Sequence, residues 1–287
     1  MFITPYGNQD GYLTQYFYNA GTYLWQKPIG VSLITIVCVG AGSNGQAGSG
    51  AAAGTAKSGG AGGGSGGVTR CIFSASMLPE YLYINLGKSQ TYGTPSTTGG
   101  PSDSWVSAAT PDRIYTPIRF IFAYARGSAG ATGGVAASMS TMVAGTLGHV
   151  TALAGIGSNP GGSPTAVNDS TLSTVKFWMT SGAGGSGGTN NPVATYTTGA
   201  GINNITGSDL IAAGGNVGTG IIAGRGAQIY NPIMIFTGGA GGGGCTTVAG
   251  GVGGDGAPGC GGGGGGGGTT GGAGGKGGDG FVIISCK

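Results

Sequence analysis

The chain has 287 residues, of which 72 are glycine, 12 are proline and only 7% are charged, with a formal net charge of +3. Hydrophobic residues at 39% and a mean hydropathy of +0.17 exclude a disordered linker, which combines low hydrophobicity with high charge. Too little proline for a collagen-like rod, which needs ~15–20%, and scattered basic residues unsuited to tracking phosphates leave a packed, charge-poor fold.

Residues 1–20 read as an N-terminal docking segment, and 21–287 as one glycine-rich β unit with a long central insertion over about 88–236. The start lacks a basic stretch followed by an apolar one, so the expectation is synthesis in a cytoplasm without a secretion signal. Tyr12, Tyr16, Phe17, Tyr18, Tyr23 and Trp25 form an aromatic cluster. It reads either as a stacking surface for sugars or a partner protein, or as packing against the first strand or within an oligomer interface; the interface reading is preferred. The apolar run 31–39 begins the strands and is far shorter than the ~20 residues of a membrane span.

A first glycine tract covers 42–66, with glycine at seven of nine triplet positions and departures at Ala51 and Lys57. Strands are expected at 68–73 and 81–86. The stretch 91–116, rich in Pro, Ser and Thr around Trp105, reads as an exposed recognition loop, together with 145–171 and 188–207, which holds Asn190 and Asn191. Further strands are expected at 118–124, 175–180, 229–236 and 281–286. Period two over 118–124 places Arg119, Ile121 and Ala123 on one side and Ile118, Phe120, Phe122 and Tyr124 on the other. Shorter glycine tracts at 127–134, 182–188, 214–226 and 238–244 read as further rods or as plain loops. Glycine at this density works against helix throughout.

From Gly250 to Gly280 every third residue is glycine. That is the period of a polyproline II helix, with three residues per turn and ~3.1 Å rise. Two glycine edges would touch neighbouring backbones, leaving a third edge for Val252, Asp255, Thr270 and Lys276. One unbroken helix would run ~95 Å, so at least one reversal is expected, within 261–270. The fold class expected is mostly β: short strands in a small sheet or sandwich, a bundle of glycine-rich polyproline II helices, and little α-helix.

Cys38, Cys71, Cys245, Cys260 and Cys286 are odd in number and lack C-x-x-C spacing, so they read as reduced apolar fillers, not as disulfides or zinc ligands. Gly87, Lys88 and Ser89 match the end of a phosphate-binding loop motif, but its first glycine would fall on Leu82, so the motif fails. The single His149 and the G-x-S-x-G matches around Ser65 and Ser186 make no catalytic set, and no enzyme activity or cofactor is expected. Asp255 and Asp279 sit in partial matches to a calcium-binding nonapeptide repeat. They are 24 residues apart where tandem copies stand nine apart, so they are only weak metal candidates.

The stretch from Gly21 through Trp25, Pro28 and Gly30 into Gly40 and Gly42, with the closing run from Gly271 through Lys276 and Asp279 to Phe281, resembles the glycine-rich domain of bacteriophage tail-fibre and receptor-binding proteins. Tyr83, Ile84, Asn85, Leu86 and Gly87 are similar to the strand that follows the first tract there. Lys88, Ser89 and Gln90 then replace the usual Gly-x-Gly-Gly. The resemblance frames 21–287 and implies an aromatic strand at its start and a non-enzymatic virion protein, a tail-fibre or adhesin subunit. Loops between glycine rods would contact host polysaccharide or an outer-membrane protein. Implied partners are other virion proteins and further copies of the chain, as in a trimer, with no nucleic acid or membrane insertion. The candidate contacts are Tyr12, Tyr16, Phe17, Tyr18, Trp25, Trp105, Asn190 and Asn191. The alternatives are a capsid decoration or tail-assembly protein without receptor binding, and an ice-binding protein.

Overall fold

The computed structural model describes residues 13–53, 55, 57–91, 101–108, 121–130, 148–153, 178–179, 228–229, 235–236, 238–245 and 247–287. The chain is mostly β, with two small antiparallel sheets and almost no helix. The strands are β1 (Leu13–Phe17), β2 (Gly21–Gln26), β3 (Leu33–Val39), β4 (Val68–Ser74), β5 (Tyr81–Leu86), β6 (Ser104–Ser107), β7 (Ile121–Ala125), β8 (Gly148–Leu153), β9 (Trp178–Met179), β10 (Gln228–Ile229), β11 (Ile235–Phe236) and β12 (Phe281–Cys286). One sheet runs β1-β12-β3-β4-β8 and the other β2-β5-β6-β7, while β10-β11-β9 form a third, minor one. The only helix among the described residues is a single 3-10 turn, Ala75–Met77.

Side chains alternate across β3, β4 and β12, and both faces of the five-stranded sheet carry a core. On one face Ile34, Ile36, Cys38, Cys71, Phe73, Val282, Ile284 and Cys286 meet Leu82, Ile84, Val106 and Ala123 of the four-stranded sheet. The other face carries Val37, Val39, Val68, Phe281 and Ile283, covered by Phe236, Ala257 and Cys260. This double burial explains why β3 and β12 read as continuous apolar runs, whereas β5 alternates. β7 is an edge strand whose Phe122 and Tyr124 carbonyls are capped from the other sheet. Cys71 Sγ donates to the first at 3.5 Å and Thr69 Oγ1 to the second at 2.6 Å.

Among the described residues six glycine segments pack beside the sheets: g1 (40–50), g2 (58–67), g3 (238–245), g4 (250–257), g5 (259–268) and g6 (270–280). Their hydrogen bonds repeat every three residues, and g5 lies at the centre. Its carbonyls at 259, 262 and 265 accept from Gly66, Gly63 and Gly60 of g2, and those at 260, 263 and 266 accept from Gly278, Gly275 and Gly272 of g6. The carbonyls at 261, 264 and 267 accept from Gly239, Gly242 and Cys245 of g3. In return Gly262, Gly265 and Gly268 donate to g1, and Gly263 and Gly266 to g4, all at 2.7–3.1 Å. Glycine loses more entropy on folding than any other residue, and these bonds, worth ~0.5–1.5 kcal/mol each, offset that loss. The segments approach so closely that a Cβ on Gly263 would strike the Ala240 carbonyl, and one on Gly266 the Gly243 carbonyl.

The tract 250–280 reverses twice. One reversal, at Thr269–Thr270, falls within the expected 261–270. The other lies outside it at Pro258 and Gly259, where Gly259 takes φ 72° and the Cys260 N–H donates to the Ala257 carbonyl at 2.9 Å. The departures from glycine at Ala51 and Lys57 bracket the turn between g1 and g2. Among the outward positions expected, Val252, Thr270 and Lys276 are exposed and Asp255 half-buried.

One other expectation needs correction. Within 91–116, read as an exposed loop, β6 is a fully buried strand between β5 and β7. The strand expected at 118–124 is described over Ile121–Ala125, which is buried on both faces, and 118–120 lie outside the described residues.

Candidate functional site

The strands join the glycine segments at one end of the molecule. β3 runs into g1, g2 into β4, and g6 into β12. At the far end of the segments three reversals meet, and their tips form one rim. The Ala51 N–H donates to the Gly268 carbonyl at 3.2 Å and the Thr269 N–H to the Val248 carbonyl at 2.9 Å, locking the three turns together. Within the first turn the Thr55 hydroxyl donates to the Ala52 carbonyl at 2.7 Å. Exposed on this rim are Ala51, Ala52, Ala53, Thr55, Val248, Ala249 and Thr270. None of these carries a charge or a large ring, so the described part of the rim is a small-residue, hydroxyl-dotted surface on a backbone held by hydrogen bonds between the segments.

The aromatic residues lie at the other end, on the sheets. Tyr16 and Tyr18 are half-buried and stack in parallel with centroids 6.1 Å apart, and Tyr18 leans on Phe281 at 5.8 Å. Phe17 points to the opposite face and tilts against Tyr23 at 5.7 Å. The Tyr23 hydroxyl donates to the carbonyls of Tyr18 and Asn19, and burial first, then the Asp279 charge, raises its pKa. β1, within the expected docking segment, forms an edge of the five-stranded sheet, with Leu13 opposite Cys286 and Phe17 opposite Val282.

Trp25 and Trp105 are 3% and 5% exposed and belong to the core between the sheets. That corrects the expectation of contact from these two rings, because β2 and β6 turn them inward. Tyr12, Asn190 and Asn191 lie outside the described residues. Strand β8 sets His149 opposite Ile72 in backbone register.

Asp255 and Asp279 serve the backbone. Asp255 accepts from the Lys276 N–H at 2.9 Å, and Asp279 accepts from Ser89 at 2.9 Å and Ala20 at 3.3 Å, pinning two loops to g6. Asp103, buried and not singled out from sequence, accepts the Tyr124 hydroxyl and the Gly127 N–H and joins the start of β6 to the end of β7. Its only sequence signal was a lone acid beside a tryptophan in a charge-poor stretch.

All five cysteines are free and buried. Burial pushes the Cys38 thiol well up, with Cys71 beside it adding to the shift; Cys71 is pushed up to about 12 and Cys286 to about 11. These thiols stay protonated at neutral pH and are poor nucleophiles.

A second exposed surface stands at the sheet end. Ile29 is 103% exposed at the tip of the β2–β3 turn, and Leu24, Leu33, Met77 and Tyr81 are exposed on the adjoining elements. The Lys27 ammonium donates to the carbonyls of Ala75 and Leu78 at 2.9 and 2.6 Å, tying that turn to the β4–β5 connection.

No curated protein matches the chain. The family model described as a glycine-rich domain matches residues 18–287, which take in all six segments and every strand except β1, and the chain belongs to this glycine-rich domain family.

Proposed function

We propose that this protein is a non-enzymatic attachment subunit of a bacteriophage particle, carried on a tail fibre or another surface appendage. In this reading g1 to g6 are polyproline II rods, and the bundle holds the rim of turns against the host surface. The observation that carries it is the rim itself: three reversals cross-bonded at their tips, on a lattice bonded at a three-residue period, which is one polyproline II turn. Such a surface is pre-organised and loses little entropy when it binds. Repeated copies on one particle would turn weak contacts with polysaccharide or an outer-membrane protein into avidity.

The exposed apolar end around Ile29 favours a second role, docking to other virion proteins or to copies of itself in an oligomer such as a trimer. Taken alone, that end fits a capsid decoration or tail-assembly component that binds no receptor.

The experiment is adsorption of particles carrying Val248→Asp together with Thr270→Arg. Charges at the rim are expected to lower the adsorption rate about tenfold or more, a change of ~1.4 kcal/mol, with the purified protein's melting temperature unchanged. Unchanged adsorption with labelled antibody spread over the capsid would reject attachment and leave the decoration role.

A further inference from the structure

Among the described strands β2 is an end of the four-stranded sheet, with β5 as its neighbour on the other side. The Lys27 N–H donates to the Glu80 carbonyl directly opposite at 2.7 Å, which fixes the phase of the ladder. In an antiparallel pair the bonded residues alternate. Gly21, Tyr23 and Trp25 therefore turn their backbone groups to β5, and Thr22, Leu24 and Gln26 turn theirs away from it. All three outward residues are exposed, Leu24 at 53%, and so is Gly21, which is all backbone.

Edge strands are ordinarily blunted by a charge, a proline or a bulge, because an open edge recruits another strand. Strand β2 has none of these. Its residues, GTYLWQ, include no charge and no proline, and its register with β5 runs unbroken from Gly21 to Gln26. The charges on the adjoining residues are engaged within the chain. The Lys27 ammonium donates to the carbonyls of Ala75 and Leu78, and the Glu80 carboxylate accepts from the Gln26 amide at 3.2 Å. Leu24 also belongs to the exposed apolar surface that includes Ile29, Leu33, Met77 and Tyr81.

We propose that two copies of this chain pair through β2, edge to edge and antiparallel, about a two-fold axis at Leu24; the inference deepens the docking role of the sheet end and rests on that reading. What selects a second copy is that the strand is complementary to itself in this register. Leu24 of one copy falls opposite Leu24 of the other, and Thr22 opposite Gln26. All three outward residues are then used, in about six backbone hydrogen bonds. On the outer face Leu24 stands opposite Tyr83 of β5, and the axis joins two such pairs into one apolar row. On the inner face Tyr23 of one copy meets Trp25 of the other at the closer, non-bonded spacing, where aromatic pairs stabilise a sheet. Across the axis β2 sets no charge against a like charge. A contact of one surface with itself closes at two copies, so the species is a dimer and not a trimer, with the two four-stranded sheets joined into one.

The test is sedimentation of the full chain over a concentration series of about 1–100 μM, with residue-resolved amide hydrogen exchange on the same samples. A dimer is expected to form as concentration rises, and the amides of Thr22, Leu24 and Gln26 to slow by about tenfold or more with it. Those of Tyr23 and Trp25, bonded to β5, stay protected throughout. Leu24→Lys and Leu24→Glu each set two like charges on the axis and should raise the dissociation constant about tenfold or more. Mixed in equal amounts, the two variants should pair again. Leu24 is exposed, and protection at Tyr23 and Trp25 reports that either variant is folded. Self-association that both variants leave unchanged overturns pairing through β2 and leaves docking between copies standing. A monomer at every concentration overturns both. Variants that dissociate alone and stay apart when mixed overturn the axis at Leu24.

Discussion

At Gly263 the backbone of g5 passes g3 so closely that a methyl group has nowhere to go, because the obstacle is the Ala240 carbonyl and not a movable side chain. Gly263→Ala is therefore expected to destabilise by ~3 kcal/mol, the upper range for overpacking. Val252→Ser, at an exposed position, should stay within ~0.5 kcal/mol; urea midpoints of the two variants check this. The thiols set a second residue-scale expectation. Cys38, Cys71 and Cys286 hold their protons more tightly folded than unfolded. Their contribution is fully present below the unfolded thiol range near pH 9 and is lost as pH rises through about 11 for Cys286 and about 12 for Cys71. The urea midpoint should fall between pH 8 and pH 10.5, and fall less in Cys71→Val with Cys286→Val.

Among the elements, β7 depends on β4 for the satisfaction of its edge. Thr69→Val keeps the shape but removes the donor to the Tyr124 carbonyl. It is expected to cost ~1–3 kcal/mol, the range for a buried acceptor left alone, measurable as a lower melting temperature. How far these elements could be read beforehand followed their chemistry. β3, β4, β5, β7 and β12 announced themselves through apolar and β-branched runs, and glycine period three over 250–280 announced g4 to g6. The breaks at Ala51 and Lys57 marked a turn that pattern alone had left unassigned. β6 was hidden because Ser104 and Ser107 look like loop residues; they are buried only because β5, β7 and the Asp103 bonds surround them. Burial of Trp25 was one of two open readings and that of Trp105 was not read at all, since a tryptophan's type does not say which face of a strand it occupies. The rim was invisible for the same reason: Ala51, Val248 and Thr270 are far apart in sequence, and only bonding between segments gathers them.

For the whole molecule, order in space inverts order in sequence. The hub g5 and strand β12, which pairs with both β1 and β3, belong to the last 29 residues. A chain stopped after Pro258 loses the partner of g2 and g3 and the strand that joins β1 to β3 in the five-stranded sheet. It is expected to show no cooperative thermal transition by calorimetry, whereas removing Lys287 alone should lower the melting temperature by only a few degrees. Such dominance of contacts between distant parts of the sequence is the mark of slow folding.

The lattice around g5 also sets how the molecule carries load. A pull on any rim turn runs along two neighbouring segments and meets their cross-bonds in shear, all at once, instead of peeling them one after another. Each segment is tied to two or more others, so force entering at one tip spreads sideways within a few residues before it reaches the sheets. A body built this way would yield as a block or not at all, however small the residues at its tip.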